Sequence, residues 1–193
     1  MIIGITGGTG CGKTTLLSVI KEHSGLVIDC DQLYHQLLQE DKSLLNSIER
    51  RFSGVVKDGA LQRKQLGALV FTDPNALQDL NAITHKAICD AVLKLLSNKP
   101  KLAAIDAIGL FESGLDKLCD ITVAVTAPEK DRISRIMARE QISCEYAKKR
   151  VLAQPSNEDF SALCDYTLDN SGSQQDFKNK CLVFLKEQDI ITI

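Results

Sequence analysis

The sequence lacks the features that mark membrane, disulfide-built, zinc-binding or nucleic-acid-binding chains. No apolar run approaches the roughly 20 residues that a bilayer crossing needs, so no membrane span is expected. No two of the seven cysteines form a C-x-x-C pair, which removes the usual zinc and thioredoxin-like arrangements. Their odd number, with no signal peptide in view, fits reduced thiols and an expected cytoplasmic location. A formal net charge of -2 gives no general basic field for nucleic acid. Repeats, low-complexity tracts and linkers are missing too, so the 193 residues are expected to form a single domain.

What is present alternates between two textures. Met1 to Thr6, Leu26 to Asp29, Leu102 to Asp106 and Ile121 to Val125 are short apolar runs bounded by turn or charged residues, the pattern of buried parallel strands. Asp165 to Leu168 is a weaker fifth strand. Between them the spacing predicts helices over Lys13 to His23, Pro74 to Leu96 and Gln174 to Gln188. Pro128 opens another, and a charged helical stretch runs on to Gln154, before Pro155. Strands separated by helices imply a parallel sheet with helices on both faces. The stretch from Asp31 to about Asn98 is helical in texture, broken near Ser53-Gly54 and Lys57-Asp58-Gly59, and too long for a simple crossover. It is therefore expected to be an inserted substrate region.

The run Gly7-Gly8-Thr9-Gly10-Cys11-Gly12-Lys13-Thr14 directly follows the first strand and satisfies G-x-x-x-x-G-K-[ST]. Glycines let the backbone wrap round a phosphate with its N–H groups inward, and the next helix points its positive end at the same anion. Lys13 is expected to neutralise charge on the transferred phosphate and Thr14 to offer a hydroxyl to Mg²⁺. Cys11, inside the loop, is the one cysteine for which a lowered thiol pKa is conceivable.

Phosphate binding alone does not name the reaction. Asp106-Ala107-Ile108-Gly109 fits the D-x-x-G of switch GTPases, but no N-K-x-D guanine-reading element occurs. A kinase needs a group to orient the acceptor hydroxyl and further cations. Asp29 and Asp31 end the second strand; if the extension persists they point to one side, and otherwise Asp31 caps the next helix. Arg132, Arg135 and Arg139 share a helix face, either as a solvated stripe or, with Arg150, as the cations of a mobile lid. Asp106, closing the third strand, is placed to hold a magnesium-bound water or else serves as a local turn residue.

Taken in order, these segments resemble the dephospho-CoA kinase family over nearly the whole chain. The resemblance is carried by Ile3 to Thr14, the D-x-D of Asp29-Cys30-Asp31, Asp58 to Arg63, and Leu69-Val70-Phe71. It continues through Thr84-His85-Lys86-Ala87-Ile88, Leu110-Phe111-Glu112-Ser113-Gly114, Gln154, and Cys164 to Gly172. Lys86, Gln62 and Ile108-Gly109 depart from the family's usual residues, all on the acceptor side.

The resemblance implies transfer of the ATP γ-phosphate to the ribose 3′-hydroxyl of dephospho-CoA, with Mg²⁺. It implies an α/β nucleotide-monophosphate-kinase-like fold with a five-stranded parallel sheet. The core would be 1–30, 100–130 and 160–193, the helical substrate region 31–99 and the lid 131–159. Asp31 would be the base or orienting carboxylate, with Lys13 and Arg139 as the other catalytic groups. Gly8, Thr9, Gly10, Cys11, Gly12, Lys13, Thr14, Thr15 and Asn170 would bind nucleotide, Asp31, His85 and Phe111 the acceptor, and Thr14 and Asp106 the metal. ATP and dephospho-CoA are the expected partners of a monomer or weak homo-oligomer, with neither nucleic acid nor membrane among them.

Overall fold

The computed structural model describes residues 1–191. The chain opens with β1 (Ile2–Thr6), α1 (Lys13–Glu22), β2 (Leu26–Asp29), α2 (Cys30–Glu40) and α3 (Lys42–Arg51). A short hairpin, β3 (Val56–Lys57) and β4 (Ala60–Leu61), leads to α4 (Arg63–Val70) and α5 (Pro74–Leu96). Then come β5 (Ala103–Asp106), a 3-10 turn (Leu115–Leu118), β6 (Ile121–Thr126), α6 (Glu129–Glu140) and α7 (Cys144–Leu152). The last elements are α8 (Asn157–Leu163), β7 (Tyr166–Asp169) and α9 (Gln174–Glu187). They form two compact units, one of Met1–Ile28 with Lys99–Ile193 and the other of Asp29–Asn98.

The first unit is built on a five-stranded parallel sheet in the order β2-β5-β1-β6-β7. The central β1 pairs in parallel with β5 and β6, with Ile5 opposite Asp106 and Val123. This register brings the carboxyl ends of β1 and β5 level, so the loop leaving β1 starts beside Asp106. On one face α1 and α9 pack Leu16, Ile20, Phe177 and Leu185 against Ile3, Ile5, Val123 and Val125, all of them buried. Burying such side chains stabilises by roughly 1.5–3 kcal/mol each. The helices α6 and α7 form a hairpin with a small core of its own, Ile136, Ala147 and Val151.

The second unit packs Leu38, Leu44, Leu45, Ile48, Phe52 and Leu66 from α2, α3, α4 and their connections into a separate apolar core. Its longest helix, α5, spans Pro74–Leu96 as the periodicity predicts, with Pro74 in its first turn and the Asp73 carboxylate capping Asn75.

Three local outcomes differ from the sequence expectations. The extended pairing of Asp29 and Asp31 does not arise, because α2 begins at Cys30. Asp29 is the cap, its Oδ1 accepting from the Gln32 amide at 2.9 Å, and Asp31 sits in the first turn. The charged stretch to Gln154 is two helices, because Gln141 takes a left-handed conformation (φ 54°) and Ser143 caps α7. Finally, α8 escaped the periodicity reading; its start is a Ser156–Asp159 capping box.

Candidate active site

The loop from Gly7 to Gly12 leaves β1 and turns directly into α1. Gly12 (φ 98°) begins α1 without a side-chain cap, and a Cβ there would stand 2.2 Å from Asn170 Nδ2. At Gly7 (φ 135°) a Cβ would meet the Val125 carbonyl at 2.2 Å. Both positions are therefore closed to other residues by sterics and backbone conformation together. The Thr15 amide of the first turn donates to Gly12 O at 3.0 Å, and the positive N-terminal end of α1 suits an anion seated in the loop.

The outward-facing carbonyls of the loop are taken up by side chains. Arg132 Nε donates to Thr9 O at 3.0 Å, Arg135 Nη1 to Gly10 O at 3.3 Å, and Asn170 Nδ2 to Cys11 O at 2.8 Å. Arg135 Nη2 also donates to Asn170 O at 3.1 Å. Arg132 is only 4% exposed and Asn170 is buried, so the Asn170 bond is buried and those of the two arginines are part-buried. Neither arginine belongs to a solvated stripe.

Lys13 Nζ donates to Gly7 O at 2.8 Å and lies 3.9 Å from Asp106 Oδ1. A cation and a carboxylate thus meet at the mouth of the loop, with the exposed Thr14 one residue along. Thr14 and Thr15 also line an open cavity of about 510 Å³ with Ser18, Gln174, Gln175 and Lys178. The donors at the loop's mouth, the Thr14 hydroxyl and the Asp106 carboxylate, are hard oxygens. No group of three or more His, Cys, Asp or Glu gathers as a metal site among the described residues. Two protein oxygens with the remaining positions left to phosphate and water suit Mg²⁺, which dehydrates reluctantly.

Cys11 corrects the expectation of a lowered thiol pKa. Its side chain turns into the core, and burial pushes the pKa up; Arg132 and Lys13 oppose the rise without cancelling it. The loop's cysteine is an inert packing residue.

The remaining predicted residues fall as follows. Arg139 is exposed on the last turn of α6, its Nη2 donating to Glu140 Oε1 at 2.7 Å, and Arg150 from α7 holds the other Glu140 oxygen. Phe111 is half-buried in the turn after β5, within the first unit. Asp31 is exposed on α2 and His85 half-buried on α5, both within the second unit. Sequence reasoning missed Arg132 and Arg135 as holders of the loop, and Gln154 beside them. The signal available was their spacing of three on a helix that follows a strand neighbouring β1.

A family model described as dephospho-CoA kinase matches residues 1–176. The chain belongs to the dephospho-CoA kinase family. A dephospho-CoA kinase of Lactobacillus acidophilus is 32% identical over 97% of this chain and 98% of its own. A Thermus thermophilus crystal structure, TT1252, superposes with a TM-score of 0.80 at 32% identity, covering 97% of each chain. The dephospho-CoA kinase of Campylobacter jejuni gives 0.67 at 28% identity, over 97% of this chain and 96% of that one. The protein is thus a P-loop kinase, and its reaction is the ATP-dependent phosphorylation of dephospho-CoA that completes coenzyme A.

Proposed function

We propose that the loop from Gly8 to Thr15 grips the triphosphate of ATP and that Asn170 and its neighbours flank the adenine. Lys13 carries this reading, because its ammonium is already held at the loop's mouth between Gly7 O and Asp106. There it can follow the γ-phosphate as charge spreads over the equatorial oxygens. Arg139 supplies a second cation, since Glu140 is a surface partner that phosphate oxygens can replace.

Mg²⁺ would be held by Thr14 and Asp106, where it neutralises negative charge on the phosphate oxygens. In the acceptor role, Asp31, His85 and Phe111 bind dephospho-CoA. Asp31 accepts the ribose 3′-hydroxyl proton as the new O–P bond forms, the bond from the γ-phosphorus to the bridging oxygen breaks, and ADP leaves. The helical region 31–99, most of which lies in the unit of Asp29–Asn98, is the acceptor-binding region and 131–159 the lid. Seven reduced cysteines suit a reducing cytoplasm, in which we place the chain as a monomer or weak homo-oligomer.

A coupled ADP-release assay tests this, with dephospho-CoA compared against adenosine, AMP and pantetheine phosphates. Dephospho-CoA alone should support turnover, and Asp31→Asn should lower kcat by about 10²-fold. ADP release independent of any acceptor would overturn the reading in favour of a nucleotide-binding module.

A further inference from the structure

Gln154 lies two residues past the end of α7, at the base of the α6–α7 hairpin, and its amide faces the phosphate loop. Its Oε1 accepts from the Thr9 amide at 2.8 Å and from Arg132 Nη2 at 3.0 Å. Both partners are obligate donors, so the oxygen must occupy this side of the amide. The Nε2 group then donates to Thr9 Oγ1 at 2.9 Å. Arg132 completes the ring by donating through Nε to Thr9 O. One loop residue therefore has its N–H, its C=O and its hydroxyl engaged by two side chains from opposite ends of the same hairpin.

Arg132 has no carboxylate within ion-pair distance among the described residues, although it is almost wholly buried. Such a charge is costly unless its hydrogen bonds are met. Here the Thr9 carbonyl and the Gln154 amide oxygen take two of its five N–H donors. The hairpin's own small core ties Val151 on α7 to Ile136 on α6, so Gln154 and Arg132 are carried by one packed piece.

We propose that Gln154 is a positioning residue: it fixes Thr9, and through Thr9 the phosphate loop, so that the loop's affinity for a nucleoside triphosphate depends on how the base of the hairpin is seated. This inference rests on the reading of the loop as the triphosphate site. It adds a residue that touches neither phosphate nor acceptor.

The test is Gln154→Met, similar in size but without donor or acceptor, assayed by direct ATP titration and by steady-state kinetics. Stranding the Thr9 N–H and the Arg132 guanidinium should weaken ATP binding roughly tenfold. The acceptor KM and the kcat at saturating ATP should stay within about twofold, since no transition-state contact is lost. Thr9→Val removes only the hydroxyl bond and should weaken ATP about two- to threefold. In the double variant this cost should vanish into that of Gln154→Met, because the two groups act through one contact.

Unchanged ATP affinity in Gln154→Met, additive losses in the double variant, or a fall confined to kcat would each overturn the proposal. Should Gln154→Met fail to fold, Thr9→Val decides alone, and wild-type ATP affinity there would refute it. Lys13→Ala serves as the control. If it binds ATP normally, the fault lies in the assignment of the loop and not in Gln154.

Discussion

Arg132 and Arg139 stand two turns apart on α6. The first is 4% exposed and bonded to the Thr9 carbonyl and Gln154; the second has a side chain 57% exposed and leans on Glu140. A guanidinium whose donors end on part-buried carbonyl and amide oxygens is committed to shape, because releasing it leaves both partners short of a donor. One tied to a surface carboxylate gives up little when it turns to a phosphate, since exposed ion pairs contribute about 0–1 kcal/mol. One helix thus braces the glycine loop at its start and carries an exposed guanidinium at its end.

The sharpest way to break this contrast is to truncate both arginines. Arg132→Ala should cost about 3 kcal/mol of stability, because it leaves the Thr9 carbonyl and Gln154 short of a donor and empties a buried volume. That should appear as a fall of roughly 6–12 °C in Tm. Arg139→Ala should leave Tm almost unchanged and lower kcat by about 10²-fold, as loss of a cation at developing charge does. An unchanged kcat would return Arg139 to the solvated surface, and a large Tm loss would erase the distinction between the two.

Smaller effects sharpen the same comparison. Cys11→Ser places a hydroxyl in the apolar core beneath the loop and should cost about 1–3 kcal/mol, read from a urea midpoint. Glu140→Gln should lower stability slightly at neutral pH and, by the same small amount, flatten the acid limb of the unfolding curve. The reason is that hydrogen bonding to Arg139, and then the contact with Arg150, hold the Glu140 carboxyl below its ordinary value of 4.5. A depressed folded pKa stabilises above the unfolded value and loses that contribution as pH falls through the folded one. Equal acid limbs for the wild type and Glu140→Gln would show that the carboxylate is not gripped in solution.

The elements whose signals are local could be read from the chain alone. β1 with its glycine loop, α5 between Pro74 and Leu96, and β5 ending on Asp106 each carry their own periodicity or turn chemistry. Lys13 was legible for the same reason, being fixed by a motif eight residues long. What stayed hidden depends on contacts distant in sequence. Nothing near Arg132 says that it turns inward, since its partners Thr9 and Gln154 lie 123 and 22 residues away. The spacing of Arg132, Arg135 and Arg139 is right for one face, but that face runs from the protein interior to solvent. Cys11 was misread because the loop's positive surroundings are visible in sequence, whereas its burial against the sheet is not. The D-x-D hid a smaller choice, which aspartate would cap α2, and that was decided by where β2 lets go.

The inward turn of Cys11 has a practical consequence. Of the seven thiols only Cys144, the first residue of α7, is exposed. A maleimide dye or spin label offered to the folded protein should react there first and leave the loop untouched. The chain thus carries a native attachment point on its arginine hairpin, from which the proposal that the hairpin moves can be tested by fluorescence or electron resonance without engineering a cysteine.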